Sequence, residues 1–236
     1  MSTLRFNDFG VIDYPAASAL QERIVELRQR GTATDILLFV EHPHVYTLGR
    51  GGKEANVLAP QDVPVYRTNR GGDVTYHGPG QLVVYPIIDL RSKLRKSVHR
   101  YLTKLELTAI KTLADYGLEG TRRPPYTGIW IKDRKIAAIG IAVHRGVTFH
   151  GLALNVNPDL TFFERIVPCG LPWADVTSME KELGTAPWMS EVREKFLHHF
   201  AQVFGHTDIK ATENRGWNID DGDPPSSTLD PRAPAI

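Results

Sequence analysis

Cys169 is the residue whose type and setting most directly suggest covalent chemistry. It is the only cysteine in the 236-residue chain, and it lies in the segment Pro168-Cys169-Gly170-Leu171-Pro172. The flanking proline and glycine predict a loop with a fixed, unusual backbone. A reactive cysteine needs exposure and a cationic neighbour, whereas a lone cysteine is more commonly a small buried hydrophobic residue. The residues around Cys169 leave both interpretations open, a nucleophile or a packed thiol.

Lys135 is a candidate cation for such a site. It follows the polar turn Lys132-Asp133-Arg134 and precedes an apolar run from Ile136 to Val143. This pattern predicts a hairpin whose second strand is buried on both faces, so that a lysine at the start of the strand would point along the sheet towards a pocket. The alternative is a solvated hairpin lysine like Lys132, which is the usual setting for this residue type.

A third candidate is the stretch from Arg70 to Gln81, which reads Arg-Gly-Gly-Asp-Val-Thr-Tyr-His-Gly-Pro-Gly-Gln. Glycine lets a ligand approach bare backbone, and the freed N–H groups can bind a carboxyl, carbonyl or phosphate oxygen. A plain hairpin turn is the alternative. Because a plain turn does not need so many polar side chains beside its glycines, the composition favours a binding loop.

Histidines offer weaker candidates, since the chain has nine of them. We interpret His77 as a pocket-forming residue rather than as the catalytic base, with a hydrogen-bonded brace of the turn as the alternative. The cluster His42-Pro43-His44 has no third and fourth ligand at a familiar spacing. We therefore predict no metal site.

The elements that would position these residues follow from hydrophobic periodicity. Helical spacing predicts a helix after Asp13, a second from Ser97 to Tyr116 and a third around Val192 to Val203. The second helix has an apolar stripe made of Val98, Leu102, Leu105, Ala109, Leu113 and Tyr116. Strand-like runs are Leu4 to Phe9, Ile36 to Val40, Val63 to Arg67, Leu82 to Ile88, Gly128 to Ile131, Lys135 to Val143 and Thr148 to Val156. Hairpins dominate the second half without a regular βαβ rhythm, which predicts an α+β domain on a mixed sheet.

Composition narrows the class of protein. The length suits one large domain or two small ones, and 42% hydrophobic against 23% charged residues provides for a substantial core. A net charge of +1 gives no global field towards nucleic acid or membrane, so we expect neither partner. One cysteine permits no intrachain disulfide, the N-terminus lacks the features of a signal peptide, and no segment is long and apolar enough to cross a bilayer. We therefore expect a cytoplasmic protein.

The glycine-rich stretch also carries a family signature. Arg-Gly-Gly-x-x-Thr-Tyr-His-x-x-Gly-Gln-x-x-x-Tyr, from Arg70 to Tyr85, resembles that of the octanoyltransferases, the lipoate-protein ligase B family. Three further segments match in the same order, Lys135 to Gly140, Phe149 to Val156 and Pro168 to Gly170. Several ordered motifs are far more specific than one glycine loop. The family usually has a proline where His44 stands, and this departure concerns loop detail rather than chemistry.

The resemblance implies a fold and a domain organisation. The fold is that of the biotin and lipoate protein ligases, a large mixed β-sheet flanked by helices. We expect residues 1–219 to form a single acyltransferase domain. The segment 220–236 is rich in Asp, Pro and Ser, and we expect it to be a disordered tail.

The resemblance also implies an activity. The enzyme would move an octanoyl group from octanoyl-acyl carrier protein to a lysine of lipoyl domains, a step in lipoate biosynthesis. Cys169 and Lys135 would form a Cys/Lys dyad, with an acyl-thioester on Cys169 as the intermediate. The acceptors implied are the lipoyl domains of 2-oxoacid dehydrogenase E2 subunits and the glycine cleavage H protein. Neither ATP nor any other cofactor is required, because the donor thioester is already activated.

The acyl site implied by the resemblance combines the glycine-rich stretch with two strand segments. Its substrate-binding residues are Arg70, Gly71, Gly72, Asp73, Val74, Thr75, Tyr76, His77, Ala138, Ile139, Gly140, Gly151, Leu152 and Ala153. The small residues of the two strand segments are also compatible with tight sheet packing, and the two roles are not exclusive.

Other functions remain open at this level. An ATP-dependent lipoate or biotin ligase would use the same fold, a thioesterase would replace the acceptor amine by water, and an inactive relative would only bind acyl groups or lipoyl domains. A basic run after the glycine-rich region, Arg91, Lys93, Arg95, Lys96 and Arg100, could dock an acidic carrier protein or simply be solvated.

Overall fold

The protein was analysed as a computed structural model that describes residues 3–93 and 97–212. In these ranges the strands are β1 (Thr3–Val11), β2 (Asp35–Glu41), β3 (Val45–Leu48), β4 (Val65–Arg67), β5 (Val74–His77), β6 (Gln81–Ile87), β7 (Thr121–Arg123), β8 (Tyr126–Ile131), β9 (Arg134–His144), β10 (Val147–Asn155), β11 (Asp175–Val176) and β12 (Asp208–Ala211). The α-helices are α1 (Tyr14–Gln29), α2 (Leu90–Lys93), α3 (Val98–Ala114), α4 (Met179–Leu183) and α5 (Met189–Phe204). Short 3-10 helices cover Glu54–Asn56, Leu160–Arg165 and Pro168–Gly170.

A nine-stranded mixed sheet forms the centre of the molecule. Its order is β12-β1-β2-β6-β10-β9-β8-β7, and β11 pairs alongside β9. Strand β1 runs parallel to β2 and β12, whereas β6, β10, β9 and β8 are antiparallel neighbours. Helices α3 and α5 cover one face of this sheet, and α1 packs on the other. The predicted α+β class with a mixed sheet flanked by helices is confirmed.

Helix α3 matches its predicted span, but its buried face is rotated from the predicted stripe. Leu105 and Leu113 are fully buried as expected, whereas Val98 is 37% exposed. Tyr101, outside the predicted stripe, is fully buried instead, and its hydroxyl donates to the Pro86 carbonyl at 3.5 Å. A tyrosine can be buried where its hydroxyl finds a partner, which periodicity of apolar residues alone does not reveal.

A three-stranded second sheet, ordered β4-β3-β5, stands beside the main one. The glycine-rich stretch is therefore not a single loop, because Val74–His77 forms strand β5 and pairs with β3, with His77 opposite Val45. A third apolar cluster fills the space between this sheet and the 3-10 helix Leu160–Arg165. The loops on either side of β5 are thus held by a strand.

Strand β9 differs from its prediction as a strand buried on both faces. Residues 138–141 are only partly buried, and Val143 is 39% exposed. The reason is local, because the centre of the strand lines a cavity rather than a helix. The predicted hairpin itself is confirmed, with Lys132 in the left-handed region at φ 55°.

Two sequence predictions fall largely outside the described residues. The segment 220–236 and the basic residues Arg95 and Lys96 lie there. Of the rest of the basic run, the Arg91 guanidinium is already paired with the Asp89 carboxylate at 2.8 Å.

Candidate active site

The structure brings Lys135 and Cys169 into direct contact. Lys135 Nζ lies 3.2 Å from Cys169 Sγ, within donor distance of the sulfur. Lys135 is the second residue of β9, where that strand pairs with Trp130 of β8 and Val176 of β11. The lysine is thus fixed by neighbours on both sides.

The backbone at Cys169 is strained in the way that its proline and glycine neighbours predict. Cys169 occupies the left-handed region at φ 56° and ψ 19°, inside the short turn Pro168–Gly170. Gly170 also has a positive φ of 67°, and a Cβ there would lie 2.8 Å from Asp73 Oδ2. Such conformations persist only where the surroundings enforce them, and they occur often at functional sites. The half-buried thiol is therefore presented by a defined loop and is not a packed core residue.

Lys135 is buried without a carboxylate partner among the described residues. Lys135 is only 6% exposed. Besides the Cys169 sulfur, Nζ contacts the Thr127 carbonyl at 3.3 Å and the face of the Trp130 ring, whose centroid is 4.9 Å away. A solvated hairpin lysine is therefore excluded. With no ion pair holding it, the amine can exchange a proton with the thiol beside it.

The loop before β5 is docked on β9 through its backbone, while the Arg70 guanidinium ties it to β3. The Gly71 N–H donates to the Ile141 carbonyl at 2.8 Å. Arg70 donates to the Thr47 carbonyl at 2.6 Å and to the Gly71 carbonyl at 3.0 Å. Burial lowers the pKa of Arg70 from its usual value. Gly140 permits this docking, since a Cβ there would lie 2.9 Å from the Gly71 carbonyl oxygen.

Two buried histidines flank this loop, and neither fits a general base. His77 is bonded through Nδ1 to Gln81 at 3.1 Å, and burial lowers its pKa well below the usual value. His150 is bonded through Nε2 to Asn69 at 2.6 Å, and burial lowers its pKa to about 3. Both rings are therefore neutral near pH 7, and they act as hydrogen-bonded walls.

Two adjoining cavities meet at Cys169. The larger encloses about 490 Å³ of space not filled by protein atoms, including its open mouth. It is lined by Tyr14, Arg70, Gly72, Asp73, Thr75, His77, Val83, Tyr85, Ala138, Ile139, Gly140, His150, Gly151, Leu152, Ala153 and Cys169. The smaller, of about 290 Å³, is lined by Thr75, Gln81, Lys135, Ala138, Ala153, Asn155, Phe163, Pro168, Cys169 and Val176. A group bonded to Cys169 Sγ could extend one way while a second reactant approaches from the other.

Most of the predicted substrate-binding residues line the larger cavity, and three do not. Gly71 contributes through its backbone contact with β9. Val74 and Tyr76 are fully buried in the core of the small sheet. Successive side chains of a strand point to opposite faces, so Thr75 and His77 face the cavity while Val74 and Tyr76 cannot.

Several cavity residues were not predicted from sequence. Tyr14 begins α1, far upstream of the glycine-rich stretch, and no local signal ties it to the site. Tyr85 is the last residue of the family signature and could have been included on that basis. Gln81 and Asn155 form a bonded pair at 2.9 Å that walls the smaller cavity.

The described residues contain neither a metal-binding cluster nor a membrane-spanning helix. In the parts of the chain that the structure describes, no group of three or more His, Cys, Asp or Glu residues is placed to hold a metal ion. Within residues 3–93 and 97–212 there is likewise no helix with the length and apolar character needed to cross a membrane.

Known proteins resemble this chain in sequence and in fold. The family model for the lipoyl protein ligase A/B catalytic domain matches residues 13–201. An octanoyltransferase of Solibacter usitatus is 52% identical over 201 residues, covering 83% of this chain and 90% of that protein. Among solved structures, lipoate-protein ligase A bound with ATP superposes with a TM-score of 0.73 at 16% identity, over 90% of this chain and 87% of that one. Biotin protein ligase from Aquifex aeolicus superposes with a TM-score of 0.51 at 13% identity, over 86% of this chain and 69% of that one. The predicted resemblance of the fold to the biotin and lipoate ligases is confirmed.

Proposed function

The chain belongs to the octanoyltransferases, within the lipoyl protein ligase A/B catalytic-domain family, and from that premise we propose how it performs acyl transfer. The octanoyl group comes from the thioester of octanoyl-acyl carrier protein and goes to a lysine of a lipoyl domain. The observation that carries the proposal is the 3.2 Å contact between Lys135 Nζ and Cys169 Sγ, at the junction of two cavities. The setting is lipoate biosynthesis in the cytoplasm, with E2 lipoyl domains and the glycine cleavage H protein as acceptors.

In the first step Cys169 attacks the thioester carbonyl of the donor. Lys135 takes the thiol proton as the bond between Sγ and the carbonyl carbon forms. The bond from that carbon to the carrier's thiol then breaks, and Lys135 returns the proton to the departing sulfur. The product is an octanoyl thioester on Cys169 and a free carrier thiol.

In the second step the amine of the acceptor lysine attacks this thioester. The new carbon–nitrogen bond forms, the bond from carbon to Sγ breaks, and Lys135 carries the proton lost by the amine to the Cys169 sulfur. Splitting the reaction through one covalent intermediate is the logic of nucleophilic catalysis. Since both steps use the same sulfur and the same proton carrier, a single dyad suffices for both.

The two cavities separate the reactants. The larger has an apolar wall formed by β6, β9 and β10, which includes Val83, Ile139 and Leu152, and this wall suits the acyl chain. The smaller contains Lys135 beside Gln81 and Asn155, so it suits the polar arm of the donor thiol and, later, the acceptor lysine. Cys169 is common to both cavities, as an acyl carrier residue must be.

One incubation distinguishes this function from its alternatives. Octanoyl-carrier protein is mixed with the enzyme, with and without a lipoyl domain and without ATP, and all products are weighed by mass spectrometry. We expect octanoylated lipoyl domain only when donor and acceptor are both present. A requirement for ATP would indicate a ligase, release of free octanoate would indicate a thioesterase, and no turnover would indicate a binding protein.

A further inference from the structure

Tyr14 lines the larger cavity but not the smaller one. The two cavities share Thr75, Ala138, Ala153 and Cys169, and beyond this shared part the larger continues along β10 to His150. The Tyr14 ring lies 5.5 Å from that of His42, which is hydrogen-bonded to the Tyr85 hydroxyl. Tyr85 is two residues along β6 from Val83, the partner of Ala153, so this group of rings lies beyond the part that the cavities share. Tyr14 is the first residue of α1, and it is only 6% exposed.

Tyr14 is also the middle ring of an aromatic column that connects the cavity to the surface. Its ring stacks on Tyr66 with centroids 5.8 Å apart and on His77 with centroids 6.4 Å apart. Tyr66 is 38% exposed, whereas His77 is buried and lines the cavity. The Tyr14 ring is thus what separates this end of the cavity from the solvent-facing Tyr66.

The neighbouring polar walls are fixed by hydrogen bonds of their own. Tyr85 is bonded through its hydroxyl to His42 at 2.7 Å, and His77 and His150 are held by Gln81 and Asn69. These side chains set the width of the cavity. Tyr14 differs from them in that its ring is held by its contacts with the Tyr66, His77 and His42 rings.

From these positions we propose that Tyr14 closes the far end of the acyl cavity and sets the longest chain the enzyme transfers efficiently. The inference rests on the acyl transfer proposed above and concerns the same site. From Ala153 to His150 the strand advances about 10 Å at about 3.3 Å per residue. An extended eight-carbon acyl chain spans about 9 Å, taking about 1.5 Å per carbon–carbon bond at tetrahedral angles. A chain of this length on Cys169 reaches the closed end, and a longer one meets the Tyr14 ring.

The test is a chain-length series on the full-length enzyme. Hexanoyl-, octanoyl-, decanoyl- and dodecanoyl-carrier proteins are the donors, and kcat/KM for transfer to a lipoyl domain is measured for wild type and Tyr14→Ala. Removing the ring leaves a space of the size that holds benzene, which is enough for two to four further methylene groups. Each buried methylene is worth about fourfold in binding. We expect the decanoyl-to-octanoyl ratio to rise at least about tenfold in Tyr14→Ala.

The control is Tyr116→Ala, which removes the same side chain from the turn after α3, where it lines neither cavity. Its decanoyl-to-octanoyl ratio should equal that of wild type. Hexanoyl transfer and the melting curve establish whether Tyr14→Ala is folded. If Tyr14→Ala does not fold, the series is repeated with Tyr14→Leu, whose side chain is shorter but still apolar. A folded Tyr14 variant with the wild-type ratio would overturn the inference. A wild-type enzyme that transfers none of the four groups would refute the proposed function itself.

Discussion

Replacing Lys135 by methionine separates two roles that the dyad could play. The substitution keeps an unbranched side chain against Trp130 and Thr127 but removes the amine 3.2 Å from the Cys169 sulfur. If the lysine only promoted thiolate formation, its effect would be small. Lowering a typical cysteine pKa of about 8.5 by two units raises the thiolate fraction roughly 25-fold at pH 7. A Brønsted slope of about 0.4–0.5 removes roughly 8-fold of nucleophilicity, leaving a net gain of about 3-fold.

A proton carrier contributes far more than this. General acid–base catalysis is typically worth about 10²–10⁴-fold, and Lys135 would provide it in both steps. We therefore expect Lys135→Met to slow acylation of Cys169 and discharge to the lipoyl domain by at least about 100-fold each. Rapid-quench single-turnover experiments measure the two steps separately, with octanoyl-carrier protein for the first and preformed acyl-enzyme for the second.

The matched control is Lys132→Met, in the exposed turn of the same hairpin. It should leave both rates within about threefold of wild type, as expected for a surface substitution. Unchanged rates in both steps for Lys135→Met would eliminate the proton-carrier role. A loss of about threefold confined to acylation would reduce the lysine to a promoter of thiolate formation.

Two further predictions concern the loop and the buried imidazole. Gly140→Ala places a Cβ 2.9 Å from the Gly71 carbonyl oxygen and 3.0 Å from Arg70 Cδ, so the docked loop must shift. We therefore expect kcat/KM for octanoyl transfer to fall at least about tenfold. Wild-type kinetics in this variant would show that the position of the loop is unimportant. Burial lowers the pKa of His150 to about 3, whereas the unfolded residue titrates near 6.5. As the pH falls, the unfolded state therefore binds a proton at His150 before the folded state does. The free energy of unfolding decreases as a result between about pH 6.5 and pH 3. The loss from this residue is about 1 kcal/mol between pH 6.5 and 5.5. Asparagine tolerates the positive φ of 54° at this position, so His150→Asn should reduce the pH dependence of the free energy of unfolding by that amount in urea titrations. An unchanged pH dependence would contradict the lowered pKa of His150.

The sequence was most informative where one pattern governs one element. The hairpin that presents Lys135 follows from a polar turn between two apolar runs, and the strained loop at Cys169 follows from its proline and glycine. Both signals are local, so the structures they predict do not depend on how distant parts of the chain pack. The contact between the two residues joins positions 34 apart in the chain, and only the family resemblance suggested it.

The walls of the site were less predictable, for identifiable reasons. An apolar run such as Ile136 to Val143 looks the same whether it packs against a helix or borders a cavity, so the partial exposure of β9 was missed. The glycines around β5 obscured its alternation, which sends Thr75 and His77 to the cavity and Tyr76 to the core. Tyr14 reaches the site through the tertiary packing of α1, which no sequence motif predicts.

The assignment of the acyl group to Cys169 can be checked by weighing the acyl-enzyme itself. The enzyme is incubated with octanoyl-carrier protein in the absence of acceptor, and its intact mass is determined before and after addition of lipoyl domain. We expect one octanoyl group per chain, located on the peptide containing Pro168-Cys169-Gly170, released by hydroxylamine and discharged to the lipoyl domain at a rate compatible with turnover. Cys169→Ser should fold, form no such thioester and lose nearly all transfer, because a serine hydroxyl stays protonated without a dedicated base. A Cys169→Ser enzyme that transfers octanoyl at a near wild-type rate would contradict the covalent mechanism.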